Sequence, residues 1–301
     1  MQAKMNWNAL LELYRSAQTA RRLSPNTVLV NYNRLLLLIR FFGERQITPE
    51  NVEKVHIETY LNLCIEQGNH AETVAGKLRT FAAFFTALIK MDVWERQSPV
   101  TGIAKPRAGK SLRNTLSIAE FGAMLKACNK KDYIGHRNYL LLLVIFDGML
   151  RRAEAAGLRH GDLFLTDKRI RVTGKGNKTR LVPLSDSTIK ELRIFLTKRC
   201  GDCSPTDFVF QQKNGKPLGL MHVRQICWRT AQKAGIQRTI GCHVLRHAAA
   251  NAYLSNGGAI NLLSQILGHE SLETTMIYQR QNINDLNRSY LSCSPLSNVR
   301  I

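Results

Sequence analysis

The first stretch of the chain repeats apolar positions every three or four residues, the spacing of helices that bury one face. An opening helix is predicted from about Trp7. A second begins at Leu23–Thr27, with Ser24 as N-cap and Pro25 in the first turn. The run from Thr27 to Phe42 then has helical length and a helical apolar stripe. A third helix is expected from Thr48-Pro49 to Gly68. A fourth spans Ala71 to Met91, with Leu78, Phe81, Phe85 and Leu88 along one side. Together they predict a compact four-helix bundle.

The pattern changes after residue 95. Glu95 to Thr115 is rich in Pro, Gly, Lys and Arg and poor in large apolar residues, the composition of a linker. Its basic residues, Lys105, Arg107 and Lys110 among them, suit a path along a phosphate backbone. Ser117 and Glu120 form a capping-box signature, so helices are expected over 118–130 and 136–147. From Asp162 to Leu184 the pattern alternates, with turns at Thr166-Asp167 and Gly174–Asn177, which predicts a three-stranded antiparallel sheet. Helices resume from about Asp186. The expected fold is mainly α with a small antiparallel sheet: a helical domain over 1–95, a basic linker over 96–115, and a mixed α+β domain over 116–301.

Charge narrows the function. The 43 Lys and Arg against 22 Asp and Glu leave a net +21, spread along the chain. A folded protein with that field meets a polyanion, nucleic acid first and an anionic membrane surface second. The longest apolar run, Tyr139–Phe146, falls far short of the roughly 20 residues a membrane-spanning helix needs. The N-terminus lacks the apolar stretch of a signal peptide, so a cytosolic protein is expected. Seven scattered Cys fit reduced thiols, and the lone Cys200-x-x-Cys203 reads as incidental spacing.

Four segments carry possible chemistry. Arg151 and Glu154 are three apart in a helical stretch, as either a surface ion pair or a guanidinium held ready for phosphate. Lys175 lies between two Gly at a hairpin tip, as either a solvated turn or a tip that swings inward. That loop lacks the spacing of a P-loop. His243 and Arg246 share a helix face, which suits an anion and excludes a metal pair, because Arg cannot ligate a metal. His269 and Tyr278 are nine apart, on opposite faces of any single straight helix. A C-cap at Gly268 and a new N-cap at Ser271 would let both face one site.

Taken in order, these residues resemble the tyrosine recombinase (phage integrase) family, with the size and layout of the Xer-type bacterial recombinases. The family pattern is matched by Arg151 with Glu154, Lys175 in GKGNK, His243-Val244-Leu245-Arg246, Gly268-His269, and Tyr278. The usual T-G-L-R reads Gly148-Met149-Leu150-Arg151 here, and Ala153 fills a small-residue position. The resemblance spans both halves and implies a SAM-like core-binding domain followed by a catalytic domain.

It further implies site-specific recombination of duplex DNA through a 3′-phosphotyrosyl intermediate, with no metal, cofactor or ATP. Tyr278 would be the nucleophile, with Arg151, Arg246, His243 and His269 on the phosphate or the tyrosyl proton. Lys175 would be the general acid, and Glu154 would orient Arg151. Lys178 and Arg180 join Lys105, Arg107 and Lys110 as expected DNA contacts. The tail after Tyr278, with Ile283, Leu286, Tyr290 and Leu291 near helical spacing, would dock on a neighbouring protomer, giving a homo-tetramer on two DNA sites. An accessory DNA-bending protein is compatible with this scheme, as is a nucleoid-associated location. Rival readings are a type IB topoisomerase, which shares the tyrosine chemistry, a recombinase-derived DNA-binding protein, and a telomere resolvase.

Overall fold

The computed structural model describes residues 6–106, 115–174, 177–199 and 203–268. The chain divides into two compact units, Met1–Arg113 and Asn114–Ile301.

The first unit holds α1 (Trp7–Ala20), α2 (Pro25–Glu44), α3 (Lys54–Glu66) and α4 (Ala71–Lys90). Asn6 caps α1, and Ser24 caps α2 with Pro25 in its first turn. Leu78, Phe81, Phe85 and Leu88 of α4 are all buried, against Leu10, Leu11, Leu38 and Phe42 among others. The third helix starts later than its Thr48-Pro49 signal. Thr48–Val52 closes a turn on itself, with Asn51 Oδ1 accepting from the Thr48 N–H at 2.7 Å. The helix then begins where His56 Nδ1 accepts from the Glu53 N–H at 3.0 Å.

The early part of the basic stretch is packed. Val100 is buried in the bundle core, with Ile103 against it. Arg96 donates to the carbonyls of Pro49 and Glu50. Composition concealed this because two or three apolar side chains suffice to seat a segment on a preformed core. Lys105 is exposed; Arg107 and Lys110 lie outside the described residues.

The second unit is built around α6 (Tyr133–Asp147), whose Leu140, Leu141, Leu142, Val144 and Ile145 are fully buried. The apolar run seen in the sequence is therefore a core helix. Around it lie α5 (Ile118–Lys126), α7 (Arg152–Ala156), α8 (Asp186–Arg199), α9 (Leu220–Lys233), α10 (Cys242–Ser255) and α11 (Ile260–Leu267). Strands β1 (Leu163–Phe164), β2 (Arg169–Thr173) and β3 (Thr179–Pro183) form one antiparallel sheet in that order. Ile170 pairs with Val182, and Val172 with Arg180. Ile170, Val172 and Val182 all enter the core. Among the described residues no helix is long and apolar enough to cross a membrane, and Cys64, Cys128, Cys203, Cys227 and Cys242 are free thiols. Cys200 lies outside the described residues.

The end of α6 places the first arginine. The Leu150 N–H bonds the Ile145 carbonyl, the closing bond of a Schellman turn. Met149 occupies the left-handed position of that turn, φ 49°, where the family pattern has Gly. Its side chain is buried with Ala249, Ala250, Leu263 and Leu267. Met149→Gly should relieve about 1 kcal/mol of backbone strain yet lose about 2–5 kcal/mol of packing. The variant is expected to melt lower than wild type in thermal unfolding; an equal or higher melting temperature would show that strain outweighs packing there.

Candidate active site

Three elements of the second unit converge on one carboxylate. Glu154, on the short α7, has a side chain only 1% exposed. Its Oε2 accepts from the Arg151 N–H at 2.8 Å, so Arg151 stands at the N-cap, just before the helix. Its Oε1 also accepts from Arg151 Nη1 at 3.0 Å. From β3, Arg180 forks onto both oxygens, at 2.7 and 3.0 Å. From α10, Arg246 Nη1 approaches Oε2 at 3.8 Å. Arg151 is thus the exposed edge of a network built on a buried carboxylate.

The same three arginines grip the end of α11. Arg180 Nε donates to the Ile266 carbonyl at 2.7 Å, Arg246 Nη2 to Leu267 at 2.7 Å, and Arg151 Nη2 to Gly268 at 3.3 Å. These carbonyls lie at the C-terminal end of α11 and carry the negative end of the helix dipole, so cations suit them. Arg246 Nη1 also donates to the Met149 carbonyl at 2.7 Å, tying α10 to the turn before Arg151. Gly268 is left-handed, φ 62°, as the predicted C-cap requires. A Cβ there would also lie 3.0 Å from Arg180 Cδ.

The hairpin closes with the Gly174 N–H on the Lys178 carbonyl at 2.8 Å, and Asn177 takes φ 59°. Gly174 lies against the cluster: a Cβ would be 3.4 Å from Glu154 Oε1. Its neighbour Lys175 lies outside the described residues, as do His269 and Tyr278. Lys178 is exposed. His243 is in the first turn of α10, one helical turn before Arg246. Partial desolvation, then the charges of Arg246, Arg152 and Arg151, lower its pKa. A neutral imidazole results, able to accept a proton or a hydrogen bond at neutral pH.

Three guanidinium groups around one carboxylate leave a net positive cluster. Arg246 is nearly buried, whereas the Arg151 side chain stays 35% exposed. Charge-assisted forks of this kind fit an anion with several oxygens. Among the described residues no group of His, Cys, Asp and Glu is placed to hold a metal ion.

Arg180, expected along DNA, instead has each of its three nitrogens bonded within the protein. The signal for this was present in the alternation of β3. Arg180 and Val182 lie two apart and share the inward face. An inward arginine needs a buried acceptor.

The pKa of Glu154 shows which effect wins. Burial pushes it up, but hydrogen bonds from Arg180 and Arg151 outweigh that and leave it below the ordinary carboxylate value. A depressed carboxyl contributes stability above its unfolded pKa, about 4.3, and loses it as pH falls through the lower folded value. Glu154→Gln should therefore cost about 3–5 kcal/mol at neutral pH by leaving buried arginines uncompensated. The gap from wild type should shrink in acid. Denaturant unfolding at several pH values checks this, and a gap constant with pH would show that ionisation of Glu154 is not what holds the cluster.

The phage integrase family profile matches residues 114–285, and the N-terminal SAM-like domain of phage integrases matches residues 11–91. The chain belongs to the phage integrase family of tyrosine recombinases. It is 30% identical over 264 residues to tyrosine recombinase XerC of Halalkalibacterium halodurans, covering 85% of this chain and 86% of that one. It is 28% identical over 269 residues to XerC of Thermodesulfovibrio yellowstonii, covering 86% and 88%. The fold matches the XerH site-specific recombinase bound to a palindromic difH substrate in a post-cleavage complex. There the TM-score is 0.72 at 23% identity, covering 96% of this chain and 84% of that one. The protein is a site-specific DNA recombinase that cleaves and rejoins DNA, and topoisomerase activity is not favoured.

Proposed function

We propose that this recombinase cuts each strand with Tyr278 as nucleophile, while the arginine cluster built on Glu154 holds the scissile phosphate. The observation that carries this reading is the joining of Arg151 and Arg246 through one buried carboxylate, with Arg151 left exposed beside the end of α11.

The Tyr278 oxygen attacks phosphorus, the bond to the 5′-oxygen breaks, and a 3′-phosphotyrosyl link forms. Negative charge grows on the non-bridging oxygens, where Arg151 and Arg246 stabilise it. Lys175, beyond Gly174 on the hairpin, gives its proton to the departing 5′-oxygen. The tyrosyl proton passes to His269 or His243, the latter kept neutral by partial burial and then by its cationic neighbours. The 5′-hydroxyl of a partner strand then reverses the step, so the phosphodiester energy is retained and no ATP is needed.

The remaining charge serves DNA binding. The helical bundle acts as the core-binding domain and the second unit as the catalytic domain, with Lys105 and Lys178 exposed for phosphate contacts. The basic composition around Arg107 and Lys110 gives them the same role. Four protomers assemble on two sites through the segment after Tyr278, with an accessory DNA-bending protein where the site demands it. The enzyme works on cytoplasmic, nucleoid-associated DNA.

The test is a duplex carrying the sequence that the protein selects from a random pool, nicked near its centre so that cleavage is trapped. A denaturing gel should show a covalent protein–DNA band in chelator and without nucleotide, with the protein on a 3′ end. A band that needs added metal, or one on a 5′ end, would contradict the chemistry.

A further inference from the structure

Arg180 is the arginine for which the reaction above has no use, yet it makes the most complete set of bonds in the cluster. It comes from β3, the strand that leaves the Lys175 hairpin. It holds both oxygens of Glu154 and the Ile266 carbonyl. Its aliphatic stem packs against Gly268, the residue immediately before His269. All three of its nitrogens are taken up by these contacts, so the planar fork is committed within the protein.

We propose that Arg180 is a positioning residue of the cleavage reaction, locking the Lys175 hairpin and the His269 end of α11 to the carboxylate that orients Arg151 and Arg246. Four chain segments otherwise remote in sequence meet there: the α7 cap, β3, α10 and the end of α11. Only a planar fork with a third donor can serve two carboxylate oxygens and a carbonyl at once. A lysine supplies the charge at one point, and a glutamine supplies neither charge nor fork. The proposal rests on the reading that Arg151 and Arg246 bind the scissile phosphate.

Two consequences separate this role from a merely structural one. Misplacing catalytic groups by about 1 Å costs on the order of 10²-fold in rate, so Arg180→Gln should slow trapping on the nicked duplex by about that factor, with DNA affinity unchanged. The second is a pH profile. The groups facing Glu154 are Arg151, Arg180 and Arg246. Without the Arg180 fork, the carboxyl takes up a proton at higher pH and releases Arg151 and Arg246. The acid limb of the cleavage rate should move to higher pH in Arg180→Gln and return towards wild type in Arg180→Lys.

The experiment measures single-turnover trapping against pH for wild type, Arg180→Gln, Arg180→Lys, Glu154→Gln and the Arg180→Gln/Glu154→Gln double variant, with gel-shift affinity for each. The double variant should lose less than the product of the two single losses, because Arg180 and Glu154 share one contact. Should Arg180→Gln not fold, the Arg180→Lys profile carries the test, with an acid limb at higher pH than that of wild type and no such limb in Glu154→Gln. Wild-type rates in the folded Arg180 variants would overturn the proposal, as would additive losses in the double variant. A rate loss matched by weaker DNA binding with an unmoved acid limb would make Arg180 a DNA contact instead. An Arg151→Ala variant that still cleaves normally would remove the underlying reading of the site, whereas its failure to cleave beside a normal Arg180→Gln would remove this proposal alone.

Discussion

Tyr278→Phe is expected to bind the selected duplex as tightly as wild type and to form no covalent adduct. The change removes one oxygen. A phenyl ring has no lone pair to offer phosphorus, and neither the arginines nor Lys175 can replace a nucleophile. Loss of a group that makes the covalent bond costs on the order of 10⁴-fold or more, which puts the adduct below detection. Binding should survive because it comes from many Lys and Arg contacts to the backbone, in a chain of net charge +21. Free Tyr has a pKa of about 10, so the wild-type reaction relies on basic neighbours to take the proton. His269 follows Gly268, whose carbonyl is held by Arg151 and whose Cα lies against Arg180. Trapping on the nicked duplex, with a gel shift run in parallel, decides the matter. An undiminished band from the Phe variant would move the nucleophile to another residue.

Arg246→Lys should leave a folded protein that binds DNA and cuts it about 10²–10³ times more slowly, the cost of one lost donor to a developing oxyanion. Arg246 is 5% exposed and divides its donors between the carbonyls of Met149 and Leu267, both at 2.7 Å, with Glu154 close by. A lysine keeps the positive charge against Glu154 but has a single nitrogen. It can satisfy one of those carbonyls and cannot present a fork to phosphate. The single-turnover rate at saturating DNA should fall while the dissociation constant stays within a few-fold, because the interaction strengthens only as charge builds in the transition state. An equal fall in affinity and rate constant would make Arg246 an ordinary phosphate contact. No fall in rate would remove it from the reaction.

The helices were legible wherever the local signals agreed with the tertiary outcome. Ser24 before Pro25 began α2, Ser117 with Glu120 began α5, and the four apolar positions of α4 all entered the core. Thr48-Pro49 misled because it starts a turn that stops after one cycle, a choice made by the Asn51 side chain. The linker composition misled for its early part because Val100 and Ile103 find a bundle core already made by other segments. Arg151 and Glu154 read as neighbours on a helix, but their importance depends on burial, and burial comes from α10, α11 and β3 closing over them.

Periodicity, caps and turn residues are local, so the chain could state by itself its helices, its small sheet and the order of its chemistry-bearing residues. The +21 charge could state that the partner is a polyanion. Only the tertiary structure could decide which groups share a contact. Arg180 and Glu154 are 26 positions apart, and Arg246 reaches a carbonyl 97 positions away. No local rule relates such pairs. They meet because a buried carboxylate and three consecutive helix-end carbonyls need cationic donors, and the fold brings those donors from three separate elements to one point.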